Sequence, residues 1–122
     1  MKSKQESNLK SNLKSKSKVA KLVLLTPSQL KSRQDRLLVV DVRGCLEYWM
    51  GHIPQAQCLS RDRILKEIPK DREIAVTCLS GHRSTAAAQW LVAQGYQQVY
   101  NLQGGLLAWK SAGYPVMYGT QS

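Results

Sequence analysis

The sequence predicts an α/β fold: a parallel five-stranded sheet with helices on both faces. Three observations predict it. Short apolar runs alternate with segments of helical periodicity along the chain. The run Leu37-Leu38-Val39-Val40 is apolar at every position, as a strand covered on both faces requires. Asp41, Arg43 and Cys78 follow directly on such runs, at the strand ends where open parallel sheets bind their ligands.

The elements follow in order. Val19 to Leu25 reads as a short strand. Thr26 then offers a capping oxygen and Pro27 a pre-set φ, opening a helix that runs to about Ser32. Leu37 to Val42 is the second strand, and Cys45 to Met50 a helix closed by Gly51-His52-Ile53-Pro54. Ala56 to Leu59 makes a brief third strand, and Arg61 to Ile68 a short, partly exposed helix. Glu73 to Cys78 is the fourth strand. The helix from about Ser84 to Gln94 sets Ala87, Trp90 and Leu91 at core spacing and stops at Gly95. Gln98 to Leu102 is the fifth strand, Gly104-Gly105 opens a last helix through Ala112, and Gly113-Tyr114-Pro115 ends it.

At 122 residues with 43% hydrophobic content, the chain suits one domain with a real core. No stretch nears the ~20 consecutive apolar residues that span a bilayer, and the start lacks a signal-peptide apolar region, so a cytoplasmic protein without membrane association is expected. Three cysteines without CxxC spacing form no disulfide framework, in keeping with a reducing compartment. Cys78 and His82 are four apart, but paired zinc-type spacing is missing, so no metal is expected.

The formal charge of +10 is unevenly placed. Lys2, Lys4, Lys10, Lys14, Lys16, Lys18 and Lys21 stand against Glu6 alone, leaving the rest of the chain only mildly basic. Residues 1–18 therefore read as a basic, disordered tail, and residues 19–122 as the folded domain. The tail's other reading is attraction to RNA or anionic lipid, but no aromatic is interleaved with the lysines, so no specific nucleic-acid partner is expected.

One heptapeptide concentrates the chemistry: Cys78-Leu79-Ser80-Gly81-His82-Arg83-Ser84. It places a thiol where a buried strand turns into a helix, a geometry that aims backbone N–H groups and the positive helix end at one centre. Such surroundings bring a cysteine from pH ~8.5 down to between about 3.5 and 7.5. Cys78 is the candidate nucleophile; its other reading is a buried structural thiol. Gly81 suits a loop that curls its amides inward.

Three separated blocks resemble the rhodanese family, and together they cover about Leu37 to Val116. The first is Asp41-Val42-Arg43, then Glu47-Tyr48 and Gly51-His52-Ile53-Pro54. The second is the cysteine loop, and the third runs from Val99-Tyr100-Asn101-Leu102-Gln103-Gly104-Gly105 through Ala108-Trp109. One departure is Gln55, where the family usually has glycine; a type II turn there would cost Gln on the order of 1 kcal/mol.

The resemblance implies a single-domain sulfurtransferase. Cys78 would take a sulfane sulfur from a small anionic donor such as thiosulfate, and pass it as a persulfide to cyanide or a thiol, with no cofactor and as a monomer. Leu79, Ser80, Gly81, His82 and Arg83 would form the loop that cradles the terminal sulfur. Related phosphatases and arsenate reductases separate cysteine from arginine by five residues. Here four intervene, which suits one sulfur better than a tetrahedral phosphate. Arg43 is expected to bind the dianionic donor, with Asp41 fixing the turn, although an ordinary Asp–Arg ion pair is the other reading. Arg83 either meets the donor or braces the loop against a carboxylate such as Asp41.

His82 either faces donor and acceptor or stands uninvolved, whereas His52 reads as structural. Cys45 would resolve Cys78 as a disulfide if the two thiols meet, and Cys58 reads as core. A non-catalytic role remains open, in which the domain carries persulfide sulfur received from a protein partner.

Overall fold

Ten elements alternate strictly along residues 21–120, the residues described by the computed structural model. They are β1 (Lys21–Leu25), α1 (Pro27–Arg33), β2 (Leu38–Asp41), α2 (Cys45–Trp49), β3 (Gln57–Cys58), α3 (Arg61–Glu67), β4 (Ile74–Thr77), α4 (His82–Ala93), β5 (Gln98–Leu102) and α5 (Gly105–Ser111). The basic segment 1–18 and the first two positions of the expected opening strand lie outside the described residues.

The five strands form one parallel sheet in the order β1-β5-β4-β2-β3. The chain leaves β2 toward β3 on one side and returns to β4 on the other, so the ends of β2 and β4 bound a switch point. Asp41 closes β2 in register with Thr77, which closes β4, and this brings the start of the cysteine loop beside Asp41.

Side-chain alternation along fully buried strands divides the core in two. Val39, Ala75 and Tyr100 face one layer with Leu30 of α1 and Leu106 and Trp109 of α5. Leu38, Val40, Ile74, Val76 and Val99 face the other with Ile64 of α3 and Ala88 and Leu91 of α4. Each fully buried aliphatic side chain contributes about 1.5 to 3 kcal/mol, so the central strands are held from both sides.

Buried polar ends of aromatics are satisfied. The Trp109 indole N–H donates to the Pro115 carbonyl at 2.7 Å. The Tyr96 hydroxyl lies 2.9 Å from the Ile64 carbonyl and 2.7 Å from that of Ile68, tying the end of α3 to the chain after α4.

The capping signals act locally. The Thr26 side chain accepts from the Gln29 N–H at 3.2 Å while the Gln29 side chain accepts from the Thr26 N–H at 2.9 Å, a reciprocal pair that starts α1. At the Pro54-Gln55 turn the Ala56 N–H donates to the Ile53 carbonyl at 3.0 Å, and Gln55 sits at φ 71. The turn thus takes the left-handed option in spite of lacking glycine, at a cost on the order of 1 kcal/mol.

Candidate active site

β4 ends at Thr77, and four residues after Cys78 the chain is already helical, because α4 begins at His82 rather than at the expected Ser84. His82 and Arg83 therefore occupy the first turn of a helix, and the loop proper is Leu79-Ser80-Gly81. Gly81 adopts φ 100, which lets the chain enter the helix with its N–H turned back toward the thiol.

The Cys78 thiol lies beneath this loop and is 1% exposed. Its Sγ accepts from the Gly81 N–H at 3.1 Å and from the Ser84 N–H at 3.3 Å, and the Ser84 hydroxyl is 3.4 Å away. The loop is turned by α5. Leu106 and Leu107 N–H groups donate to the Cys78 and Leu79 carbonyls at 2.9 and 3.0 Å. In a trans peptide the N–H points opposite to the carbonyl, so holding the Leu79 carbonyl toward α5 sends the Ser80 N–H toward sulfur.

Burial is the strongest single influence on Cys78 and pushes its pKa up. Against it act the Ser84 hydroxyl and the N–H groups of Ser84, Gly81 and Ser80, and together they bring the thiol below its ordinary value. Donors aimed at sulfur stabilise the anion, and the start of the twelve-residue α4 adds its dipole.

The Ser84 hydroxyl also reaches the Asn101 Oδ1 at 2.6 Å, and the Asn101 amide donates to the Thr85 hydroxyl at 3.0 Å. Both Ser84 and Asn101 are buried. They are the site residues that the sequence reading passed over as partners of the thiol, although a signal existed: Asn101 is a polar residue within the otherwise apolar end of β5. Replacing Ser84 by alanine removes the hydroxyl beside the thiol and leaves the backbone donors in place. We expect the rate of iodoacetamide alkylation of Cys78 at pH 7 to fall on the order of tenfold, the size of a lost hydrogen bond to a charged group.

Arg43, expected to meet a donor, is turned inward instead. Its Nε and Nη2 donate to Asp41 at 3.0 and 2.8 Å, its own N–H donates to the same carboxylate at 3.0 Å, and Nη2 also reaches the Gly51 carbonyl at 2.6 Å. Both side chains are nearly inaccessible. An unpaired guanidinium here would incur a desolvation penalty of several kcal/mol, so the pair is retained as an internal brace between the end of β2 and the end of α2.

Arg83 braces the loop, but through Glu47 rather than Asp41. The contact is bidentate at 2.9 and 3.0 Å and about half exposed. The Arg83 hydrogen bond, followed by one from the Gly44 N–H, holds the Glu47 carboxyl at about 2.

His82 is exposed, with Nδ1 3.3 Å from the Ser80 hydroxyl. His52 is fully buried, stacked on Tyr48 at 3.7 Å, and its Nδ1 lies 2.8 Å from the Tyr48 carbonyl. The thiol that Cys45 meets is Cys58, with the two Sγ atoms 3.0 Å apart, while the Cys78 thiol is held by Ser84 and Gly81; Cys58 is half-buried rather than core. Among the described residues no cluster of three or more His, Cys, Asp or Glu could hold a metal ion, and no helix is long and apolar enough to cross a membrane.

This arrangement has counterparts. The model of the rhodanese-like domain matches residues 26–112. A sulfurtransferase of Allochromatium vinosum is 41% identical over 93 residues, covering 74% of this chain and 87% of the relative. The crystal structure of the Alr3790 protein from Anabaena sp. superposes with a TM-score of 0.73 at 30% identity, covering 79% of this chain and 82% of that one. The thiosulfate sulfurtransferase from Pseudomonas aeruginosa superposes with a TM-score of 0.70 at 25% identity, over 83% of this chain and 20% of that longer chain. With the five-stranded parallel sheet and the cysteine loop at its switch point, these similarities establish that the chain belongs to the rhodanese-like domain family.

Proposed function

We propose that the protein is a sulfurtransferase that moves a sulfane sulfur from a thiosulfate-like donor to a thiophilic acceptor through a persulfide on Cys78. The observation that carries this reading is the convergence of the Ser80, Gly81 and Ser84 donors on one buried thiol, with its pKa lowered in spite of burial. The transferase class draws support from the relative named a sulfurtransferase.

In the first half-reaction the Cys78 thiolate attacks the outer sulfur of thiosulfate. The sulfur–sulfur bond breaks, its electron pair leaves with sulfite, and the transferred sulfur remains on Cys78 as a persulfide. The persulfide's charge sits on the terminal sulfur, and the loop N–H groups are the donors that offset it. In the second, cyanide or a thiolate attacks that terminal sulfur, and Cys78 is returned as thiolate. Arg83 is the cation for the donor: its exposed pair with Glu47 is weak and exchangeable, whereas the buried Arg43 pair is not.

The near-complete burial of Cys78 favours small donors, which must pass the exposed side chains of Leu79, Ser80 and His82. It also keeps a second reading in play, a persulfide carrier loaded by a protein partner and turning over thiosulfate poorly. Intact-protein mass spectrometry after incubation with thiosulfate tests the proposal. We expect one added sulfur, removed by cyanide with formation of thiocyanate. No adduct from thiosulfate, but one from a persulfidated protein, would select the carrier reading, and none from either would overturn both.

A further inference from the structure

Cys45 and Cys58 take no part in the persulfide chemistry. Cys45 opens α2 and is exposed; Cys58 ends β3, half-buried, in register with Asp41. Their sulfurs lie 3.0 Å apart, within about an ångström of a disulfide bond length. The Cys58 thiol also points toward the Arg43 carbonyl at 3.6 Å. Cys78 is engaged elsewhere, with Ser84 and Gly81.

We propose that Cys45 and Cys58 form a second thiol site, a redox-active dithiol that a hydroperoxide oxidises to an intramolecular disulfide independently of Cys78. The exposed Cys45 reacts first. Its thiolate attacks one peroxide oxygen, the oxygen–oxygen bond breaks, hydroxide (or alkoxide) leaves, and Cys45 becomes a sulfenic acid. The Cys58 sulfur then attacks the Cys45 sulfur. The sulfur–oxygen bond breaks, the Cys58 proton leaves with the hydroxyl as water, and the disulfide forms. The two thiols together supply the two electrons that reduce the peroxide.

The surroundings divide the roles. Burial first, then the hydrogen bond and charge of Cys45, push the Cys58 thiol up to about 12, with Asp41 adding to the rise and Arg43 opposing it. Cys58 thus stays protonated while Cys45 meets the oxidant. Once Cys45 is an uncharged sulfenic acid, its electrostatic opposition to a Cys58 thiolate is gone, and the second thiol attacks more readily.

The test uses the full chain carrying Cys78→Ser, hydrogen peroxide as oxidant, alkylation under denaturing conditions and tryptic mass mapping. No lysine or arginine lies between Gly44 and Arg61, so both cysteines fall on one peptide, residues 44–61. We expect that peptide to lose both alkylation sites together and to be lighter by two hydrogen atoms, and dithiothreitol to restore it. Adding Cys58→Ser should leave a Cys45 sulfenic acid that dimedone traps. Adding Cys45→Ser should slow the loss of the Cys58 thiol by about tenfold or more, since the buried, protonated thiol is the poorer nucleophile. The same peptide read from the wild type checks that Cys78→Ser has not itself altered the pair, and circular dichroism before oxidation checks that each variant is folded. Cys45 driven to sulfinic acid with Cys58 still alkylatable, a disulfide between chains, or both thiols unchanged would overturn the proposal.

Discussion

Cys78→Ser is expected to abolish sulfur loading from thiosulfate and to lower cyanide-dependent turnover by at least about 10³-fold, the scale on which loss of a covalent nucleophile slows an enzyme. The cradle explains why serine does not substitute. The donors from Ser80, Gly81 and Ser84 bring a thiol below its ordinary pKa, but a serine hydroxyl starts far too high for the same set to ionise it. The variant should fold, because serine is close in shape and its hydroxyl can accept from the same N–H groups. Mass spectrometry for the added sulfur and a thiocyanate assay read the loss. Retained loading in the variant would transfer the chemistry to Cys45 or Cys58 and sink the assignment.

The same variant tests the electrostatics through stability. The folded pKa of Cys78 lies below the unfolded value near 9.0. Between the two, the unfolded chain holds a proton that the native state has released, so stability rises with pH across that window. This contribution is fully present above the unfolded pKa and disappears as pH falls through the folded one. Relative to Cys78→Ser, the wild type should therefore gain melting temperature as pH climbs toward about 9 and then level off. A difference that is flat with pH would mean the thiol is not perturbed.

The architecture was legible because its signals are local. Leu37 to Val40 and Ile74 to Val76 are apolar at every position, and the structure buries both runs on both faces. Thr26-Pro27 started a helix as its chemistry dictates. The position of Cys78 was legible too, since a strand end is fixed once the strand is.

What was illegible is the choice of partner among several candidates close enough to compete. Arg43, Arg83, Asp41 and Glu47 are two cations and two carboxylates, and sequence spacing does not say how they pair. The fold does: Asp41 and Arg43, two residues apart, meet inside, which leaves Glu47 of α2 to pair with Arg83 of α4 at the surface. Likewise, the Cys45–Cys58 contact depends on β3 pairing with β2 at the Asp41–Cys58 register, a tertiary fact that a two-residue strand barely announces.

Gly105→Ala should be the most damaging small substitution outside the cysteine loop, and the reason joins stability to reactivity. Gly105 sits at φ 61, and a Cβ added there would lie 2.5 Å from the Cys78 carbonyl oxygen and 2.6 Å from that of Leu79. Those are the two carbonyls that α5 holds through Leu106 and Leu107. Backbone atoms in a packed junction have little room to yield, so the loop or the helix must move. Left-handed strain and overpacking together give an expected loss of about 2 to 4 kcal/mol, or a melting temperature lower on the order of 10 to 20 °C. If α5 sets the loop by gripping those carbonyls, the N–H groups of Ser80 and Gly81 should turn away from sulfur as the contact opens. The pH profile of Cys78 alkylation in the folded variant would then move toward that of an ordinary thiol. Gly95→Ala is the matched control: its φ of +101 is equally left-handed, but a Cβ there meets nothing within 4 Å. It should lose about 1 kcal/mol and leave the alkylation profile untouched. Equal losses in the two variants would show that only backbone strain is at work, and that α5 does not shape the thiol's surroundings.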